Sequence, residues 1–214
     1  MRKPGLTMQP TDPAPRPSPS PRSQDQIRWD QRYRAGACPG GGEVSAWVKA
    51  QAPYLNGGLA LDVACGAGRH ALWLAELGYR VDAVDISREG LNLLLEQATA
   101  RALSDSLNII QADLNHWRPD PNRYDLILVT RYLNRQLWPA LQAALKPGGL
   151  FLHRTFHTDV LRQRPDFDRD HLLQPGELLA AFRHWCLLAY EERRWYPGGD
   201  WRDCTASILV RKPE

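Results

Sequence analysis

A chain of 214 residues is long enough for one ordinary domain and short for two. Its hydrophobic share of 43% and charged share of 24% are those of a globular chain in water. Of the formal net charge of +3, the first 25 residues hold Arg2, Lys3, Arg16 and Arg22 against Asp12 and Asp25, leaving +1 on residues 26–214. That excludes the broad basic field of a non-specific nucleic-acid binder. No apolar run approaches the roughly 20 residues of a membrane span. Arg2 and Lys3 are followed by no apolar stretch, so neither a membrane anchor nor a secretory leader is expected. Cys38, Cys65, Cys186 and Cys204 are scattered without metal-type spacing, which points to a reducing, cytoplasmic setting and no metal site.

Seven of the seventeen prolines lie in residues 1–25, beside Ser, Thr, Gln and Arg. Such a segment has almost nothing to bury, so a disordered Pro-rich tail is expected, with a single domain over 26–214. Residues 26–36 and 43–55 then read as two helices. An apolar run at 59–65 predicts a first strand, and a helical pattern follows it to Gly78. Residues 79–86 predict a second strand. Ser87 is placed to cap a helix whose apolar stripe is Leu91, Leu94, Leu95, Ala98 and Ala102. Strands are predicted at 107–114, 124–130 and 150–156, with a helix at 134–149 ended by Pro147-Gly148-Gly149 and a last helix at 175–182. Residues 184–196 and 201–212 form two extended runs around Pro197-Gly198-Gly199-Asp200, a hairpin signal. Strands alternating with helices imply a Rossmann-like, doubly wound α/β fold: a mostly parallel seven-stranded sheet, ending in an antiparallel β-hairpin.

The residues richest in chemistry lie at 61–87. Gly66 and Gly68 stand where a strand turns into a helix, leaving room for a ligand beside free helix amides. Asp85 ends the next strand 19 residues after Gly66, the spacing at which an acid meets ribose hydroxyls in nucleotide-binding βαβ units. Gly66 to Ala71 also satisfies the dinucleotide pattern G-x-G-x-x-A, which leaves an NAD-dependent oxidoreductase as an alternative. Against it stand Asp62, placed to hold a ligand cation such as an amino-acid ammonium, the lack of a second nucleotide-binding half, and the closing hairpin.

LDVACGAG (61–68), VDAVDIS (81–87), QADL (111–114) and ALKPGG (144–149) together resemble the class I S-adenosylmethionine-dependent methyltransferases. The likeness spans about 26–212. WDQRYR (29–34) and LLQPGELLAAF (172–182) resemble the branch of small enzymes related to tellurite-resistance and thiopurine methyltransferases. The resemblance implies S-adenosylmethionine as cofactor, with Asp62, Ala64, Gly66 and Gly68 around its methionine end. It places Asp85 and Ile86 at the ribose and adenine, Asp113 and Leu114 at the adenine edge, and Thr130 near the sulfonium. Arg131, Tyr132 and His153 are the expected catalytic-side residues, with Arg154 and His157 nearby. No Asn/Asp-Pro-Pro-Tyr arrangement follows strand four, so methylation of DNA base amino groups loses support. The expected partner is a small-molecule methyl acceptor, anionic or readily ionised, with thiol, selenium or tellurium species favoured and no nucleic acid. A non-catalytic cofactor-binding adaptor is a further alternative. Trp29 and Tyr33, four residues apart, belong either to a lid over the cofactor, with Arg32 or Arg34 facing an anion, or to a structural staple. Residues 157–174 are a second expected cover.

Overall fold

The computed structural model describes residues 23–38 and 42–214. Residues 1–22 of the expected tail lie outside the described residues, whereas Ser23 to Asp25 begin a helix. The Ser23 hydroxyl accepts from Gln26 N–H and caps α1 (Gln24–Arg34). The helix expected at 43–55 shortens to α2 (Ala46–Lys49) followed by a tight turn at Ala52–Tyr54. Pro53, which lacks an N–H, stands within that turn.

Next come β1 (Gly58–Val63), α3 (Arg69–Glu76), β2 (Tyr79–Asp85), α4 (Arg88–Ala100) and β3 (Leu107–Gln111). Ser87 caps α4 as expected, its hydroxyl accepting from Gly90 N–H. Then follow β4 (Tyr124–Thr130), α5 (Trp138–Ala144), β5 (Leu145–Phe156), α6 (Glu177–Ala181), β6 (Cys186–Glu192) and β7 (Thr205–Arg211). The predicted 134–149 helix is cut at both ends. Its start is a single tight turn at Arg135–Leu137, and its Pro-Gly-Gly end joins β5, where the register with β4 shifts between Tyr124 and Leu126. Lys212 stabilises that irregular start, donating to Gly149 O and accepting from Gly148 N–H.

The sheet order is β3-β2-β1-β4-β5-β7-β6. All pairs are parallel except those of β7, which runs antiparallel to both β5 and β6. The strand order reverses between β1 and β4, so their carboxyl ends open a crevice, the position at which doubly wound sheets bind ligands. Both faces are covered. Leu61, Val63, Ile127, Val129 and Phe151 pack on the α5–α6 side. Ala60, Val81, Ala83, Leu126 and Leu128 pack on the α3–α4 side. Burial on both faces explains why the central strands read as continuous apolar runs instead of alternating ones. A third cluster joins Val160 and Leu172 to Cys204, Phe156, Phe167 and Trp201, fastening residues 157–173 to the β6–β7 connection. Among the described residues, no helix is long and apolar enough to cross a membrane.

Candidate active site

The turn after β1 is made by three residues in the left-handed region, Ala64 (φ 54°), Gly66 (φ 57°) and Gly68 (φ 78°). Ala64 holds that conformation against the steric preference of a side-chain-bearing residue. Asp85 fixes the turn from the neighbouring strand. One carboxylate oxygen accepts from Gly66 N–H and the other from Ser87 N–H, each at 2.8 Å. Asp85 is buried, and burial raises its pKa against those hydrogen bonds. It thus organises the loop as well as standing where a ribose is expected, and each oxygen retains a lone pair for a ligand.

A Cβ on Gly68 would collide with the Leu94 side chain of α4, so the bare glycine lets α4 pack closely on the loop. A Cβ on Gly66 would strike the Tyr33 hydroxyl. Tyr33 therefore lies directly on the glycine turn, and burial, reinforced by Asp85, raises its pKa. Asp30, fully buried and missed in the sequence, holds α1 in that place. It accepts from the Ser87 hydroxyl at 2.8 Å and from Glu89 N–H at 3.2 Å, while Arg34 pairs with Glu89 at 2.6 Å. The helix is thus both cover and staple: Tyr33 touches the turn, and Asp30 ties α1 to the start of α4. Arg34 is consumed by Glu89, and Arg32 stacks over Trp29.

Asp62 lies beneath the turn, 1% exposed, and among the described residues neither carboxylate oxygen has a hydrogen-bond partner. Burial pushes its pKa up to about 7, opposed by the nearby Arg69 guanidinium and weakly by the Ala71 amide, which stays outside hydrogen-bonding geometry. An unpartnered buried carboxylate is costly unless a cation meets it.

At the edge of the crevice, Ile86 is half-buried and its carbonyl accepts from Gln111. Asp113 accepts from Asn115 N–H and caps its own turn. Leu114 is buried in the α5–α6 core cluster.

Beyond β4, Thr130 Oγ1 lies 3.1 Å from Nδ1 of His70, a residue with no sequence signal beyond its place in α3. His70 is held neutral, its pKa lowered to about 3 by burial and then by Arg69, Arg131 and Arg154. Arg131 adopts φ 54°, and its N–H donates to Arg154 O at 2.8 Å. Tyr132 is half-buried with its hydroxyl near Asn134, and burial raises its pKa. His153 does not reach the rim. It is fully buried between Phe151 and Trp138, donates from Nε2 to Tyr132 O, and has its pKa lowered to about 4 by burial. It props the loop that carries Tyr132. His157 is likewise buried, with Nδ1 accepting from Asp159 N–H and Nε2 facing Arg193 O. Strand alternation puts His153 on the same face of β5 as Phe151, in the α5–α6 core, whereas His157 lies just past the end of β5 and caps the turn that follows. Arg154, on the opposite face, joins Arg131 in a cavity of about 140 Å³, together with Arg69, Arg202, Thr130 and Thr205.

Residues 60–149 match the methyltransferase-domain family. The chain is 33% identical over 120 residues to the cypemycin N-terminal methyltransferase of a Streptomyces species, covering 52% of this chain and 46% of that protein. It is 35% identical over 89 residues to the tRNA1(Val) (adenine(37)-N6)-methyltransferase of Klebsiella pneumoniae, covering 40% of this chain and 35% of that protein. The crystal structure of TehB from Haemophilus influenzae superposes with a TM-score of 0.63 at 23% identity, covering 87% of this chain and 66% of that one. The fold is that of the class I S-adenosylmethionine-dependent methyltransferases. The chain spans about half the length, or less, of the curated relatives it matches. The methyltransferase match also removes support from the NAD alternative. The residues present fit S-adenosylmethionine: the unpartnered Asp62 can meet an ammonium, and Asp85 beside the glycine turn keeps acceptor capacity for ribose hydroxyls.

Proposed function

We propose that the chain transfers the methyl group of S-adenosylmethionine to a small, anionic or readily ionised acceptor, with thiol, selenium or tellurium species ahead of neutral amines. When bound, the cofactor supplies a methyl carbon already activated by a positive sulfur. The protein's contribution is then alignment more than proton transfer. In this reading Asp62 holds the ammonium of the methionine end, beside Ala64, Gly66 and Gly68. Asp85 and Ile86 take the ribose and adenine, Asp113 the adenine edge, and Thr130 borders the sulfur. Arg131 and Tyr132 face the acceptor, while His153 supports Tyr132 from behind.

The carrying observation is the pairing of an orphaned, fully buried carboxylate under the glycine turn with an arginine-lined cavity past Thr130. The near neutrality of residues 26–214 favours a small acceptor over a nucleic acid. Calorimetric titration with S-adenosylhomocysteine and NADH tests the cofactor, and a panel of thiols, selenite, amines, alcohols and tRNA tests the acceptor. Micromolar binding of S-adenosylhomocysteine alone, with turnover of ionised small acceptors, is expected. Preferred turnover of tRNA or neutral amines overturns the acceptor assignment. Tight binding without turnover of any acceptor favours the adaptor alternative.

A further inference from the structure

The cavity beyond β4 gathers guanidiniums from four separate parts of the chain. Arg69 opens α3, Arg131 follows β4, Arg154 lies in β5, and Arg202 stands in the turn before β7. Like charges converge only where something repays the repulsion. Two of the four are partly neutralised: Arg154 by Glu191 at 3.7 Å and Arg202 by Asp200 at 3.0 Å. Among the described residues, Arg69 and Arg131 form no ion pair within 4.0 Å, although Glu43 also borders the cavity. Arg69 donates only a long hydrogen bond, 3.4 Å, to Glu43 O. Arg131 keeps a left-handed backbone, tied down by its amide on Arg154 O. Arg154 is oriented by Ser207 Oγ at 3.0 Å, with its side chain 16% exposed. Burial, and after it the proximity of Arg131, pulls the Arg69 pKa down, against the opposing pull of the Asp62 carboxylate.

A cavity of about 140 Å³ is small and suits a compact oxyanion. Guanidiniums present planar forks of donors to such a group, and the hydroxyls of Thr130 and Thr205 border the same space. We propose that this cavity is an oxyanion subsite in which Arg131 and Arg154, flanked by Arg69 and Arg202, bind a doubly charged phosphate-class group of the acceptor beside the transferred methyl. The inference rests on the methyl-transfer reading and narrows it. The acceptor is either a free oxyanion or a molecule bearing one as a handle. The chemistry shared by the two is a dianion with three or more oxygens. Arg69, next to Gly68, also lies on the cofactor side, so the rival occupant is the cofactor's own carboxylate.

The test is calorimetric titration of inorganic phosphate, a phosphate monoester and acetate into the full chain, with and without saturating S-adenosylhomocysteine. Phosphate-class ligands should bind the S-adenosylhomocysteine complex, at least tenfold more tightly than acetate. Arg131→Gln and Arg154→Gln should each weaken that binding at least tenfold, with S-adenosylhomocysteine affinity kept within threefold. Arg131→Lys, which keeps the charge and loses the fork, should fall between wild type and Arg131→Gln. A monoester that outbinds phosphate marks the group as a handle, and the reverse order marks a free oxyanion; either order supports the subsite. Mutual exclusion of phosphate and S-adenosylhomocysteine would hand the cavity to the cofactor's carboxylate and overturn the proposal. So would absence of phosphate binding, or binding indifferent to both substitutions in variants of unchanged melting temperature. Failure to bind S-adenosylhomocysteine at all would instead overturn the methyl-transfer reading on which the subsite rests.

Discussion

Asp62→Asn isolates the most perturbed carboxyl group of the crevice. In the ligand-free chain its pKa is raised from 3.8 to about 7, with burial the leading cause. Between those values the folded chain holds a proton that the unfolded chain has lost. Asp62 therefore favours folding at low pH, and that contribution is lost as pH rises through about 7. At about 1.4 kcal/mol per pH unit, the loss between about pH 5 and pH 8 is on the order of 2–3 kcal/mol. Carboxylates whose pKa is lowered, such as Asp125 beside Lys146 and Asp159 beside Arg194, act in the opposite sense, below about pH 4. Comparing wild type with the Asn variant cancels them. Urea unfolding at the two pH values should show wild type losing about 2–3 kcal/mol more than Asp62→Asn, while the variant binds S-adenosylhomocysteine more weakly. Parallel pH profiles for the two proteins would refute the reasoning, because Asp62 would then be ionised or solvated in the folded chain.

Gly68→Ala should cost about 2–3 kcal/mol of stability through its clash with Leu94 and its left-handed backbone, and Leu94→Ala in the same chain should recover part of that loss, seen as a non-additive cycle in urea. Asp30→Ala should remove the tie between α1 and α4, costing about 1–2 kcal/mol and making α1 open to limited proteolysis before the rest of the chain; equal protease resistance would contradict the tie. Ala64→Gly should raise the urea midpoint by an amount worth about 0.5–1 kcal/mol, since glycine adopts φ 54° without steric cost, and a lower midpoint would show that the lost methyl contact matters more. Arg131→Ala should lower turnover with cofactor affinity within about threefold, roughly 0.65 kcal/mol, as read by calorimetry beside steady-state rates.

The sheet and its order of elements were legible because the central strands are apolar on both faces and glycines mark the turns. Gly66, Asp85 and Ser87 fall where local pattern alone places them. The errors have physical causes. Pro147-Gly148-Gly149 breaks a helix, as its composition says, yet the chain resumes as strand at once because Lys212 supplies partners for Gly148 and Gly149 from a distant segment. His153 in β5 and His157 just after it looked available because they lie near the carboxyl end of a strand. Which face of the strand a residue occupies depends on the neighbouring strands, and His153 faces Trp138 and Phe151. Asp30 gave no signal because its partners, Ser87 and Glu89, are more than fifty residues away. Arg69 and Arg202 join Arg131 and Arg154 only when the sheet brings β1, β4, β5 and β7 together.

Following where the methyl group goes tests the central claim most directly. The full chain is incubated with methyl-labelled S-adenosylmethionine and a desalted extract supplemented with thiols, selenite and phosphate monoesters, and the label is partitioned by size. The account predicts label in small anionic products, retained on an anion exchanger and strongly reduced by Arg131→Ala. Label recovered in RNA or protein, or in neutral small molecules independent of Arg131, would contradict it.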